Sequence, residues 1–460
     1  MHTNSGEQAG SEAPATVDAR LVELVLACLV TGTAFLLSPE FIFVRSLLVP
    51  TLALYAVALV RRWSAAGRLG MFLLFLAVAG VAPALLAMDA SHTGSPTMAH
   101  DGGVIVTGRA VEELLAGHDP YTVSYVEELR GGFLVVDGLR TENPIADHYP
   151  YSPATFLIQV PFMAPLLALG FSPDARWLYL LIYAGLGFFL ARKSLRERGD
   201  LLVPLLLLAN PLFIAYLWLG ETDILLLAGL VGLAWALASD RPVLAALALG
   251  AALSTKVLLA PFALVFLVWL AAGAWRGGLG RSTAVRAAGA LVLPTVVTMA
   301  PFLLWHPGAL IQDVLLFHLG LAPPRYPIGG AGFPALLFDL DLIHDRWAAA
   351  PVWSTAIPTL AALVAACAWL WRRRWAVADL FWAAATVSLA SVYFSRAFTK
   401  TYWWLPLALV SLAAVARGAP RPSEVAPAEA EAPVRELAAA STPVPAAASA
   451  GPARSSPPAR

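Results

Sequence analysis

The chain carries few charges, so each ionisable side chain that interrupts an apolar stretch can be weighed by itself. Asp101 stands in MAHDGGVIVTGR, shortly after an apolar run ends at Met88. A carboxylate there lies near the level of a lipid head group. One positioned carboxylate can take a proton from an attacking hydroxyl. The plainer use of a loop Asp is to cap a turn. Two other carboxylates compete for the role. Asp89 lies too near the apolar run, and Asp119 sits in a His-Asp-Pro-Tyr turn, where Asp is favoured for structure. Lys256 is the second residue of interest. The apolar run before it, 243–253, rises only about 17 Å as a helix, against about 30 Å of hydrocarbon. Lys256 therefore lies below the outer surface. At that depth an ammonium faces a cavity or partner, such as a phosphate, or it snorkels to the interface.

The remaining candidates lie in segments flanking apolar runs. Arg325, beside Tyr326 in APPRYPIGG, could clamp a phosphate in a bidentate way. Arg396 and Lys400 flank the last hairpin and have the same use. All three also read as solvated loop cations. His148, Tyr149 and Tyr151 could line a sugar site or form an interfacial aromatic belt. Asp339 and Asp341, with His344 and Asp345, have the look of a metal-binding acid pair. They sit in a loop among apolar residues, and no metal or cofactor is expected. His306 and His318 read as isolated loop residues. No phosphate-binding glycine loop, dinucleotide fingerprint or Ser-His-Asp order is present.

The elements that position these residues are apolar runs. Of 460 residues, 59% are hydrophobic and 13% charged, against about 25% charged in soluble domains. Runs read as membrane helices are 21–37, 46–60, 69–88, 154–171, 177–191, 201–219, 224–238, 243–253, 257–274, 287–305, 352–371, 376–393 and 401–416. The expected fold is all-α, a polytopic transmembrane bundle of about 12 helices. Residues 1–20 read as a disordered lead that lacks a cleavable signal, and 417–460 as a disordered Ala/Pro-rich cytoplasmic tail. Cys28 and Cys367 lie in apolar runs and read as core residues. Net charge is zero, which gives no sign of a nucleic-acid partner.

Basic clusters orient the chain, because Lys and Arg accumulate in cytoplasmic loops. Arg61, Arg62 and Arg68 form one cluster, and Arg192, Lys193, Arg196 and Arg198 a second. Arg241, Arg276, Arg281, Arg286, Arg372–Arg374, Arg417 and Arg421 follow at later run ends. With these inside, the loops 89–152 and 306–350 fall outside. One conflict remains. Two runs, 154–171 and 177–191, separate an outer loop from the inner Arg192 cluster, where an odd number of crossings is needed. The run 154–171, with Pro161 and Pro165, is the candidate for a re-entrant or interfacial segment.

A resemblance bears on these residues. It lies in the order Asp101, Leu114-Leu115, Gly117, Asp119-Pro120-Tyr121, then His148-Tyr149-Pro150-Tyr151-Ser152-Pro153. That order resembles the first extracytoplasmic loop of the GT-C glycosyltransferases. It is most similar to bacterial polyprenyl-phosphate-mannose-dependent mannosyltransferases and their uncharacterised relatives. Asn210-Pro211 with Gly220-Glu221-Thr222-Asp223, Leu249-Gly250 with Thr255-Lys256 and Pro261, and Lys400-Thr401-Tyr402-Trp403-Trp404-Leu405-Pro406 resemble later segments of that family. Glu221 stands where Gln is usual. The resemblance implies an inverting transferase at the outer face of a bacterial plasma membrane. It implies a hexose, mannose above all, moved from a polyprenyl-phosphate donor to a lipid-linked or cell-envelope acceptor. Asp101 would be the base. Lys256, Arg325, Glu221, Asp223, His148, Tyr149, Tyr151, Arg396 and Lys400 would contact substrate. The rival readings are a lipid or sugar transporter or flippase, and an inactive membrane scaffold.

Overall fold

A backbone in hydrocarbon must satisfy its polar groups internally, and a run without breakers does so as a helix. The computed structural model describes residues 19–37, 42–93, 98–129, 133–136, 139–373, 375–398 and 400–418. The helices follow the apolar runs. α1 (Ala19–Leu37) and α2 (Ile42–Val60) come first. α3 (Ala65–Leu76) and α4 (Ala82–His92) continue one another through a π turn as a 28-residue rod, Ala65–His92. α5 (Thr107–Leu115), α6 (Ala154–Leu157) and α7 (Val160–Ala168) belong to the next segment. α8 (Arg176–Glu197), α9 (Leu202–Leu208), α10 (Pro211–Leu219), α11 (Asp223–Ala238) and α12 (Pro242–Leu253) follow. α13 (Ala260–Trp275), α14 (Arg281–Trp305), the short α15 (Pro307–Ile311) and α16 (Phe333–Asp339) lead to α17 (Ala356–Arg372), α18 (Val377–Tyr393) and α19 (Trp404–Gly418). Among the described residues, five helices are long and apolar enough to cross a membrane, or six if the bent pair α9–α10 is one span. The protein is a helical, membrane-embedded one. The expected lead 1–20 gives way to helix two residues early, at Ala19, and residues 419–460 of the expected tail lie outside the described residues.

Two buried arginines fix the direction of the rod and of α8. Arg68, near the head of α3, donates to the Gly199 carbonyl (2.6 Å), just past the end of α8. Arg176, at the head of α8, donates to Ser91 Oγ (2.7 Å) in α4 and to the Met98 carbonyl (2.9 Å). The rod and α8 therefore run antiparallel between the same two ends. This resolves the parity conflict. The run 154–171 is α6 plus α7, and the nine residues of α7 rise only about 14 Å, too little to cross. Pro161 starts α7 and Pro165 lies inside it. One helix long enough to cross, α8, then separates the 89–152 segment from the Arg192 cluster. The run 201–219 is likewise broken. Pro211 cannot continue the ladder, Asn210 caps α10 by accepting from Leu212 N (3.0 Å), and the two halves bend by 46°.

α12 packs tightly on α14. A Cβ on Gly250 would lie 2.2 Å from the Leu291 carbonyl oxygen, so only glycine allows this approach. A second core of aromatic side chains comes from the segments 89–152 and 306–350 and from α6 and α14, and includes Tyr121, Tyr149, Phe156, Phe302 and Phe317. Its rings meet edge to face, as in Tyr121–Tyr149 (5.6 Å) and Phe156–Phe302 (5.3 Å). The all-α expectation omits two small ladders. β1 (Phe133–Val136) pairs antiparallel with β2 (Leu139–Glu142), and β3 (Gly329–Gly330) pairs parallel with β4 (Ala397–Phe398).

Candidate functional site

The site begins at the turn after α10. Gly220 adopts φ +83, a left-handed cap that ends the helix and starts Glu221-Thr222-Asp223. The backbone of His100 donates to the Leu219 carbonyl at 2.7 Å. A Cβ on Gly103 would lie 2.3 Å from the Gly220 oxygen. The Asp101 segment is thus docked on the Glu221 turn, with glycines permitting the contact. Arg176 supports both sides. It is fully buried, paired with Asp174 (2.6 Å), and it donates to the carbonyls of Met98 and Trp218.

Lys256 comes to the same place from α12. Its ammonium donates to Glu221 Oε1 (3.1 Å) and Asp223 Oδ1 (2.8 Å). It also lies 5.4 Å from the Tyr151 ring centroid and 5.6 Å from that of Tyr402. Trp404 donates its indole N–H to Asp223 Oδ2 at 2.7 Å. Lys256 is 4% exposed, and its charge is met by carboxylates instead of water. Thr155 donates to the Thr255 carbonyl (2.7 Å) and so ties the 148–155 segment beside Lys256.

Asp101 is the partly open member. Its side chain is 24% exposed. Oδ1 accepts from Gly102 N (2.7 Å), and Oδ2 accepts from the Asn143 amide (2.6 Å). Asn143 is locked in turn, because its Oδ1 accepts from Ile145 N at 3.1 Å. Between Asp101 and the buried pair stands His100. Gly103 N donates to its Nδ1 (2.9 Å), which leaves the proton of the neutral ring on Nε2. Nε2 lies 3.7 Å from Glu221 Oε2, and Nδ1 lies 3.5 Å from Asp101 Oδ1. The Tyr151 ring packs on Gly102 as well as on Lys256, since a Cβ on Gly102 would meet it at 2.7 Å. Asp101, His100, Glu221, Asp223, Lys256, Tyr151 and Tyr402 thus form one polar cluster. Tyr326 faces the same cluster. Burial raises its hydroxyl pKa above the ordinary range, and Asp101, Tyr402 and Glu221 add to that.

Other expected site residues serve the loops. His148 is 1% exposed, with Nδ1 2.7 Å from Asp313 Oδ1 and its ring on Phe317 at 4.6 Å. Burial pushes the Asp313 carboxyl up, and His148 and the Tyr149 N–H pull it part of the way back. Tyr149 is fully buried and its hydroxyl meets Thr107 Oγ1 (3.2 Å), so neither ring offers a face to a sugar. Arg396 is not a free phosphate clamp. Its buried guanidinium donates to the carbonyls of Tyr326, Ala348 and Arg346, and it fastens the second loop. Burial, with Arg325 adding, pulls it down to about 10. Arg325 stays half-buried, donating to the Trp347 carbonyl (3.3 Å), while its Nε has no partner among the described residues. The side chain of Lys400 lies outside the described residues.

The rival carboxylates behave as turn residues. Asp119 accepts from Tyr121 N (3.0 Å) and pairs with His306 (2.9 Å), while Asp89 is exposed on α4. His306 and His318 are not isolated. His318 donates to the Pro150 carbonyl (2.5 Å), and burial holds its imidazole below the usual range. Asp341 pairs with His344 on the exposed surface (2.9 Å). Among the described residues, no group of three or more His, Cys, Asp or Glu side chains is placed to hold a metal ion.

Sequence reasoning passed over His100, Asn143, Arg176 and Asp313, and named Trp404 only within the Lys400–Pro406 segment. The local signals were an Asx turn at Asn143-Pro144, and an Asp-Ala-Arg at the head of an apolar run. No family model, curated protein or solved structure matches this chain.

Proposed function

We propose that the chain is a membrane-embedded inverting glycosyltransferase, moving a hexose from a polyprenyl-phosphate donor to a lipid-linked or cell-envelope acceptor. One observation carries this reading. A part-exposed carboxylate, Asp101, is held by two donors at the edge of a buried cluster that contains Lys256. In the proposed step the acceptor hydroxyl oxygen attacks the anomeric carbon and its proton passes to Asp101. The bond from that carbon to the phosphate oxygen breaks, and the lipid phosphate leaves with the electron pair. An ammonium has three donors, and two of those on Lys256 are occupied by Glu221 and Asp223. The third is available to a phosphate oxygen. In this reading the chain crosses the membrane about twelve times, through α1, α2, the α3–α4 rod, α8, α9–α10, α11 to α14, and α17 to α19.

The test is sugar transfer from a labelled polyprenyl-phosphate hexose by purified Asp101→Asn, alongside donor binding. The expected outcome is a rate loss of about 10²- to 10⁴-fold with donor binding retained. Lys256→Ala should weaken donor binding as well as turnover. A fully active Asp101→Asn enzyme removes the base assignment. A carrier is the second reading, favoured by the broken span α9–α10 that ends at Glu221 beside a buried lysine. Solute flux into liposomes by the wild type, unaffected by Asp101→Asn, would replace the first reading with it.

A further inference from the structure

The far end of the bundle carries a separate feature. α17 places Ala362, Ala365, Ala366 and Trp369 on one side, at the i, i+3, i+4, i+7 spacing of a single helix face. α18 meets that face with Trp382 and Ala383. The alanines leave the space between the helices unfilled, as a groove of about 550 Å³. Arg417, in the last turn of α19, lines the groove and lies 5.2 Å from the Trp382 ring centroid. Arg373, past the end of α17, lies 5.1 Å from the ring of Trp369. Two guanidiniums therefore stand beside one apolar groove. The indole N–H of Trp382 is buried and meets no acceptor among the described residues.

We propose that this groove holds an acyl chain of one anionic phospholipid, with the phosphate against Arg417 and Arg373. The walls are apolar apart from Thr386, whose hydroxyl donates to the Trp382 carbonyl (3.0 Å), and they suit a hydrocarbon chain. Ala365 and Thr386, which line the groove, are exposed, so the chain enters from the surrounding bilayer. Guanidiniums favour phosphate, which they grip in a planar, bidentate way. An ester carbonyl supplies the acceptor that the Trp382 N–H lacks. A helix from a second copy is a poorer occupant, because its backbone carbonyls are already engaged and it brings no phosphate. The groove lies at the end of α19 remote from Trp404 and Asp223, so the proposal does not depend on the transferase reading.

The experiment is native mass spectrometry of the full chain in detergent, titrated with phosphatidylglycerol or with phosphatidylcholine of the same chains. The wild type should retain one tightly held phosphatidylglycerol, preferred over phosphatidylcholine by at least about fivefold. Ala365→Trp, which fills the groove, should lose that lipid. Arg417→Gln should keep lipid binding and lose about fivefold of the preference. Retention of the lipid by folded Ala365→Trp overturns the proposal. So does a dimer that Ala365→Trp dissociates without loss of lipid. If Ala365→Trp does not fold, Arg417→Gln decides: an unchanged headgroup preference sinks the idea.

Discussion

Two buried charge clusters lie at opposite ends of the bundle, and they differ in balance. At one end, the inner one under the proposed function, Glu23 is fully buried on α1, and Arg68 pairs with it at 2.9 Å. Tyr55 donates to Glu23 Oε1 (2.6 Å), and Leu201 N donates to Oε2 (3.1 Å). One cation meets one carboxylate, and both carboxylate oxygens are occupied. At the other end, the outer one under the proposed function, one ammonium meets two buried carboxylates, with the part-exposed Asp101 and His100 alongside. With neutral histidines the outer cluster is formally two charges negative. A closed, balanced pair holds helices together. An unbalanced cluster with an open edge is arranged to take on another charged or proton-donating group.

The comparison is broken most directly at the inner pair. Glu23→Ala strands Arg68, and removing one partner of a buried pair typically costs about 3–5 kcal/mol. Thermal unfolding in detergent should show a large drop. Replacing both, as Glu23→Leu with Arg68→Met, should recover part of it, and no recovery would mean the pair is not the staple described. Tyr55→Phe removes a hydrogen bond to a charged acceptor and should cost about 1.5–3 kcal/mol in the same assay. At the outer end Asn143→Ala should lower stability by about 1 kcal/mol. Under the proposed function it should also lower turnover more than donor affinity, because Asp101 Oδ2 loses its fixed donor. Equal effects on both would make Asn143 merely structural. The smallest effect belongs to Glu221→Gln. The outer cluster has a carboxylate to spare and Lys256 keeps Asp223, so stability should stay within about 1 kcal/mol of wild type. A loss as large as that of Glu23→Ala would show the two ends to be alike.

Much of the frame was legible in the chain. The runs 177–191, 287–305 and 352–371 fall on α8, α14 and α17. Asp119 caps its turn, and Val257–Trp275 forms the span expected from its apolar run. The break in the 154–171 run was legible in Pro161 and Pro165, because a span needs an unbroken ladder. Arg396 misled because an outer cation looks available in sequence. In the fold, loop carbonyls that no strand or helix satisfies have claimed its donors. His148 misled in a similar way, since nothing local to it announces Asp313, 165 residues away.

The sequence by itself determined where the helices run, which loops are polar, and that the helix before Lys256 is short, because rise per residue and backbone satisfaction are local properties. Only the tertiary structure decided what Lys256 meets. Glu221 and Asp223 are 35 and 33 residues away from it, and Trp404 reaches Asp223 across 181. Likewise Glu23 finds Leu201 across 178 residues. A buried charge must be met by whatever opposite charge or donor the helix packing brings within reach. That packing is set by close approaches such as Gly250 on Leu291, which carry no polar signature in the sequence.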